Sequence, residues 1–215
     1  AGHVHEASEK SLVPKLVQDY LSQETGSSMI LAHRKVDVAM LNHAVRDARK
    51  ARGELGEVGK IDEMEIAVGD RVVFTKNDSK LGVLNGQFGE VTGVQLGGLG
   101  VTVQVDEGKS VQVPTLDYTE LQHGYASTIH KSQGMTVDRA MLWGSASLDR
   151  HLGYVGMSRH RERLDVYQPN EATQVRSLSA CLSRTTRAVT VEATMVEHGL
   201  EVAVDADGQI GRAHV

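Results

Sequence analysis

The sequence predicts an α/β fold, a parallel-sheet layer interrupted by a small β-barrel, and three observations carry that prediction. A short, continuously apolar run at Ser28–Ala32 suits a strand buried on both faces, as parallel strands between helices are, and Val137–Trp143 reads as a second buried strand. Segments with apolar residues at helical spacing flank these runs. Between them, over residues 66–118, the period changes to short valine-rich strands separated by glycine turns.

In chain order, residues 8–23 place Leu12, Leu16 and Tyr20 four apart with Val13 and Val17 alongside, which predicts an amphipathic helix with Pro14 near its start. The strand at Ser28–Ala32 follows. Asp37 then opens a second helix whose apolar face is Val38, Leu41, Ala44, Val45 and Ala48, and Gly53 is its stop. In the middle segment Val68, Val72, Phe74, Phe88, Val91, Val94, Val101, Val103, Val105, Val111 and Val113 recur in strands. Gly69-Asp70, Asn85-Gly86, Gly97-Gly98 and Asp106-Glu107-Gly108 punctuate them, and Pro114 closes the segment. After Tyr125 the α/β texture returns: residues 126–131 as the start of a short helix, 137–143 as a strand, 147–160 as a helix and 164–167 as a last strand. The tail beyond Pro169 reads as a weak helix and a loose strand–turn pattern. The expected division is therefore residues 1–65 and 119–168 for the two parts of the α/β layer, 66–118 for the barrel and 169–215 for a tail.

Bulk properties exclude several function classes. At 4% aromatic content an extensive base-stacking surface is not expected, and a net charge of −5 leaves no whole-chain basic footprint, so a nucleic-acid site must be local. A single cysteine, Cys181, rules out an intramolecular disulfide and fits a reducing compartment. Residues 1–6 carry no apolar signal region, and no run approaches the roughly 20 apolar residues of a membrane span. The expectation is a cytoplasmic chain without a membrane partner.

Two polar segments concentrate the chemistry. Gly124 to Gly134 packs hydroxyls, an imidazole, an ammonium and an amide into one turn able to offer donors to a phosphate oxygen. Taken alone it also reads as a polar helix N-terminus capped by Ser127 or Thr128. Leu152 to Arg163 ends an apolar helix in Arg159, Arg161 and Arg163. Taken alone these arginines complement a helix dipole; aimed at a phosphate, one could act as an arginine finger.

Together, in this order, the segments resemble motifs V and VI of superfamily 1 helicases. Thr128, His130, Lys131, Ser132, Gln133 and Gly134 match T-x-H-K-S-Q-G, and Tyr154, Val155, Ser158, Arg159 and Arg161 match Y-V-x-x-S/T-R-x-R. Ile30-Leu31-Ala32-His33-Arg34 with Leu41-Asn42 resembles motif IV of the RecD-like branch, and the barrel lies where that branch carries an SH3-like insert. The likeness is strongest to conjugative-transfer relaxase–helicases of the Ti-plasmid type and covers roughly residues 8–168. It implies a RecA-like lobe of the P-loop NTPase type, holding Arg159 as the finger toward the γ-phosphate of ATP, with Arg34 as a second phosphate contact and Arg161 beside them. It implies Gln133 and Gly134 near the nucleotide, and Thr128, His130 and Lys131 on single-stranded DNA. Lys76 and Asn77, on a barrel loop, would brush the same strand.

The resemblance also exposes what the sequence lacks. A helicase anchors ATP and Mg²⁺ on a lobe with G-x-x-x-x-G-K-S/T. The sole Gly-Lys-Ser, Gly108-Lys109-Ser110, has Val103 where the first glycine belongs and lies between alternating strands, so it reads as a hairpin turn. ATP and Mg²⁺ are therefore expected on another lobe of the same polypeptide, which also carries a relaxase domain, and none is expected in this chain alone. The chain alone is expected neither to hydrolyse ATP nor to unwind DNA. The ten histidines show no metal-ligand spacing, and His3 and His5 are expected to be disordered. The alternative to a motor part is a non-enzymatic module: an SH3-like barrel binding nucleic acid or protein, or a docking platform within the relaxase.

Overall fold

A computed structural model describes residues 3–22, 26–95, 99–145, 148 and 150–170. Cys181 and the tail patterns expected beyond Pro169 lie outside the described residues, apart from Asn170, whose N–H donates to the Ala7 carbonyl at 2.8 Å.

The N-terminal part runs β1 (His3–Ala7), α1 (Glu9–Leu21), β2 (Ser28–Ala32) and α2 (Lys35–Ala51). The C-terminal part runs β10 (Ala126–Thr128), β11 (Val137–Trp143), α3 (Arg150–Met157) and β12 (His160–Pro169). Their strands form one all-parallel sheet in the order β1-β12-β11-β2-β10, with Met141 beside Ile30 and Leu142 beside Val166. The central strands β2 and β11 alternate between two apolar layers, which is why residues 29–31 and 140–143 are continuously apolar. Ile30, Ala32, Met141, Trp143 and Tyr167 face α1 and α2 through Leu12, Leu16, Leu41 and Val45. Met29, Leu31, Ala140, Leu142 and Val166 face the other way, onto Ile129, Leu148 and Leu152.

Three expectations need correction here. Residues 126–128 form a strand, not the start of a helix, because the backbone pairs with β2 in register before turning at Ile129. His3 and His5 are ordered: they belong to β1, where His5 stacks on Tyr167 at 4.8 Å between ring centroids. Helix α2 begins at Lys35 rather than Asp37, and Asp37 occupies its first turn, where a carboxylate suits the helix dipole. Gly53 follows α2 at φ +68°, the left-handed stop expected of it.

Between the two parts lies antiparallel structure. A hairpin of β3 (Val58–Ile61) and β4 (Met64–Ala67) comes first, straddling the boundary expected at residue 65. Then β5 (Arg71–Phe74), β6 (Phe88–Val94), β7 (Gly100–Val105), β8 (Ser110–Pro114) and β9 (Leu121–His123) form a five-stranded sheet in the order β8-β7-β6-β5-β9. Among the described residues the ladder is open: β8 and β9 are its edges and do not pair with each other. Alternate valines fill its core with Ile61, Ile66 and Phe74. Val73 and Phe88 point the other way, into the Met29 and Leu142 layer, so the two sheets share packing. Gly108-Lys109-Ser110 is the β7–β8 turn, with Gly108 at φ +90°.

A buried polar joint fixes the two sheets together. Asp70, fully buried in the β4–β5 turn, accepts from Arg46 Nε on α2 at 3.0 and 3.1 Å, from Tyr125 Oη at 2.7 Å and from the Ala67 N–H at 2.7 Å. Arg46 Nη1 donates to Glu65 at 3.0 Å, and Arg49 Nη1 donates to the Gly69 carbonyl at 2.7 Å. Burial alone would lower the Arg46 pKa, but the Asp70 and Glu65 carboxylates outweigh it and hold it above the usual value. Asn42 clamps Ala126 from both sides, accepting its N–H at 2.8 Å and donating to its carbonyl at 3.2 Å.

Candidate functional site

The parallel sheet places the singled-out residues in two groups. The first sits where β2 and β10 end. There the chain leaves the sheet at neighbouring points, so His33 and His130 stand with ring centroids 6.2 Å apart. Thr128 Oγ1 accepts from the Lys131 N–H at 3.2 Å, and the Thr128 carbonyl accepts from the Ser132 N–H at 3.1 Å. Ser132 is buried and donates to the Ile129 carbonyl at 2.8 Å. These bonds wind residues 129–134 into a tight crossover whose buried Ile129 is its apolar anchor. His130 and Lys131 are left exposed. Arg34 is exposed too, but its fork is committed to Asp37 through Nε at 2.8 Å and Nη2 at 2.6 Å.

The second group lies where β11 and β12 begin. Arg159 Nε donates to the Val155 carbonyl at 2.9 Å, satisfying an orphan acceptor at the end of α3, and Nη2 reaches Ser158 Oγ at 3.1 Å. Its Nη1 lies 3.5 Å from the Met135 carbonyl, while the Arg159 carbonyl accepts from the Val137 N–H at 2.9 Å. The guanidinium therefore stands directly beside the turn that contains Gly134. Gly134 has φ +85° and open space where a Cβ would point, and Gln133 is exposed. Arg161, 64% exposed, pairs with Asp138 at 3.4 Å.

Lys76 and Asn77 join neither group. They are exposed on the β5–β6 connection, where the Lys76 carbonyl accepts from Tyr118 Oη at 2.7 Å and Asn77 Oδ1 accepts from the Asn85 N–H at 2.6 Å. Asn77 thus serves its own loop.

A cleft of 720 Å³ opens between α2, the β3–β4 hairpin, β9 and the end of β10. Thr128 and Lys131 line it, together with Lys35, Arg46, Met64 and His123, none of which sequence reasoning singled out. Its size is that of a ligand site. His123 Nε2 donates to the Glu65 carbonyl, 3.1 Å away, and burial lowers the His123 pKa despite Asp70 at 3.8 Å. The one available signal was the triplet Gln122-His123-Gly124, polar residues on a strand that leads straight into the motif-like turn. Nothing local in the sequence pairs Arg46 with Asp70. Among the described residues no group of three or more potential ligands could hold a metal ion, and no helix is long and apolar enough to cross a membrane.

No protein-family model matches the chain. Over 163 residues it is 43% identical to the conjugal transfer protein TraA of Rhizobium radiobacter and 44% identical to TraA of Agrobacterium fabrum, each time over 72% of this chain. A shorter stretch of 119 residues is 35% identical to the ATP-dependent RecD2 DNA helicase of Deinococcus radiodurans. The chain is homologous to a RecD-like, superfamily 1 helicase region of TraA. It spans only 15% of the length of TraA. The fold of this TraA-like region agrees: it resembles the Bacteroides Pif1 helicase solved with ADP-AlF3 and ssDNA, at a TM-score of 0.56 and 20% identity, over 89% of this chain and 51% of that one. The Pif1 helicase of Candida albicans gives 0.52 and 18%, over 88% of this chain and 57% of that one. The parallel sheet with its flanking helices is RecA-like.

Proposed function

We propose that this TraA-like region is one motor lobe, with its antiparallel segment as an SH3-like appendage, of an ATP-driven translocase acting on single-stranded DNA in conjugative transfer. One observation carries the reading: Arg159 meets the Gly134 turn at one end of the sheet, while the same short crossover starts, at the other end, from Thr128 and Lys131. A crossover of so few residues, bolted by Ser132 and Ile129, can transmit displacement between a phosphate-facing arginine and a strand-facing turn.

The residues fit the anionic end of a nucleotide. Arg159 is held in position through Nε and by its neighbours, and Gly134 leaves open space beside it. They do not supply a triphosphate cradle, since Gly108-Lys109-Ser110 is a β-hairpin turn whose Nζ donates to the Leu81 and Gly82 carbonyls. ATP with Mg²⁺, anchored on another lobe of the same polypeptide, would supply the phosphoryl group whose transfer to water drives the cycle. Arg159 would stabilise charge on the terminal phosphate, and Gln133 would sense it from the same turn. Arg34 retains three guanidinium N–H donors outside its Asp37 pair for a second contact. Thr128, His130 and Lys131 would hold the strand's phosphates.

The test uses the intact TraA-type protein. Arg159→Ala is expected to lower DNA-stimulated ATP turnover by about a thousandfold, the usual worth of an arginine finger, with single-stranded DNA affinity unchanged. Lys131→Ala is expected to weaken DNA binding and flatten its salt dependence. Full ATP turnover in Arg159→Ala would overturn the motor reading in favour of a docking platform.

A further inference from the structure

We propose that the cleft between α2, β4 and β9 takes unstacked nucleobases, with the sugar–phosphate backbone held outside along Lys35 and Lys131. The inference deepens the single-stranded DNA reading and rests on it. Three features of the cleft lead there.

The first is charge asymmetry. Lys35 and Lys131 are exposed on the wall formed by α2 and the β10 end, and neither forms an ion pair among the described residues, whose paired lysines are Lys15 and Lys50. The hairpin wall opposite carries Glu63, while Glu65 beside it is already paired with Arg46 and Lys50, and Asp47 is the acidic residue that α2 contributes. A phosphodiester is drawn to the first wall and repelled by the second. The second is apolar lining: Val38, Met64 and Val73 give surface suited to the face of a base rather than to a phosphate. The third is polar lining. Gln122 and Thr128 line the cleft and can read a base edge, and the Glu63 carboxylate can accept from an exocyclic amino group. With the backbone on the cationic side, the bases must turn inward across the cleft. A volume of 720 Å³ has room for them.

The 215-residue chain is titrated at low salt against three short, end-labelled single strands of equal length, followed by fluorescence anisotropy. One is intact, one carries consecutive abasic sites and one carries neutral methylphosphonate linkages. In parallel, iododeoxyuridine within the strand is photo-cross-linked and the adducts are mapped by mass spectrometry. The abasic strand is expected to bind at least about fivefold more weakly than the intact one, the loss of one net base contact. Cross-links are expected on Met64 or His123. Equal affinity of abasic and intact strands, with no adduct on the hairpin wall, overturns base insertion while Lys131→Ala still weakens the intact strand. If Lys131→Ala leaves intact-strand binding unchanged, the DNA reading itself fails and this inference fails with it. Lys131 is exposed, so its loss does not disturb the fold.

Discussion

Replacing Asp70 by asparagine removes one charge and almost no volume, and the structure says what that costs. The carboxylate is fully buried and receives three kinds of donor: Arg46 Nε, Tyr125 Oη and the Ala67 N–H. An asparagine can accept on one oxygen only, and its NH₂ would face donors rather than acceptors. Breaking one side of a buried ion pair costs about 3–5 kcal/mol. Glu65 stays within 3.0 Å of Arg46 Nη1, so the guanidinium is not left alone, which places the expected loss near the lower limit, about 3 kcal/mol. With an m-value of about 2 kcal/mol/M, the urea midpoint should fall by about 1.5 M. Trp143, the sole tryptophan and 1% exposed in the parallel sheet, reports the transition by fluorescence, and far-UV circular dichroism provides a second probe. Adding Arg46→Met to Asp70→Asn should cost less than the sum of the two, because the second change removes the donor that the first stranded. A loss under about 0.5 kcal/mol for Asp70→Asn would refute the view that this carboxylate holds the two sheets together.

Further outcomes follow from the same geometry. Burial lowers the His123 pKa below its ordinary 6.5, so the unfolded chain binds a proton that the folded chain resists. That stability is complete above pH 6.5 and declines as pH falls toward the folded value; His123→Gln should flatten this slope in urea titrations run at successive pH values. His5, lowered mainly by burial as well, keeps a residual slope in the variant. Gly124→Ala sets a Cβ 2.8 Å from the Val72 carbonyl carbon, a backbone clash expected to cost about 2 kcal/mol in the same unfolding assay, whereas an equally small change at exposed Gln122 should cost under 0.5 kcal/mol. The purified chain should release no phosphate from ATP with or without DNA, and DNA-stimulated release would refute the assignment of the nucleotide cradle to another lobe.

Local sequence carries much of the parallel layer. Ser28–Ala32 and Val137–Trp143 are strands with the bounds the sequence indicates, because their centres, residues 29–31 and 140–143, are buried between two apolar layers. Ala126–Thr128 is too short to show a period, so the sequence there suggests a helix start; its strand character comes from pairing with β2, nearly a hundred residues away. The edge strand β1 is silent in the sequence for a related reason, since alternating exposed and half-buried residues next to one partner leave little hydrophobic signal.

The sequence by itself determined that the chain holds a buried parallel layer with glycine-punctuated antiparallel strands inside it. Those features are written in neighbouring residues, through burial period and turn chemistry. The tertiary structure alone decided which distant residues meet: Arg46 with Asp70, Arg159 with the Gly134 turn, and Lys35 with Lys131 on one wall of a cleft. Charges find partners across space at separations that no local pattern encodes, so only the packed sheets could bring these together.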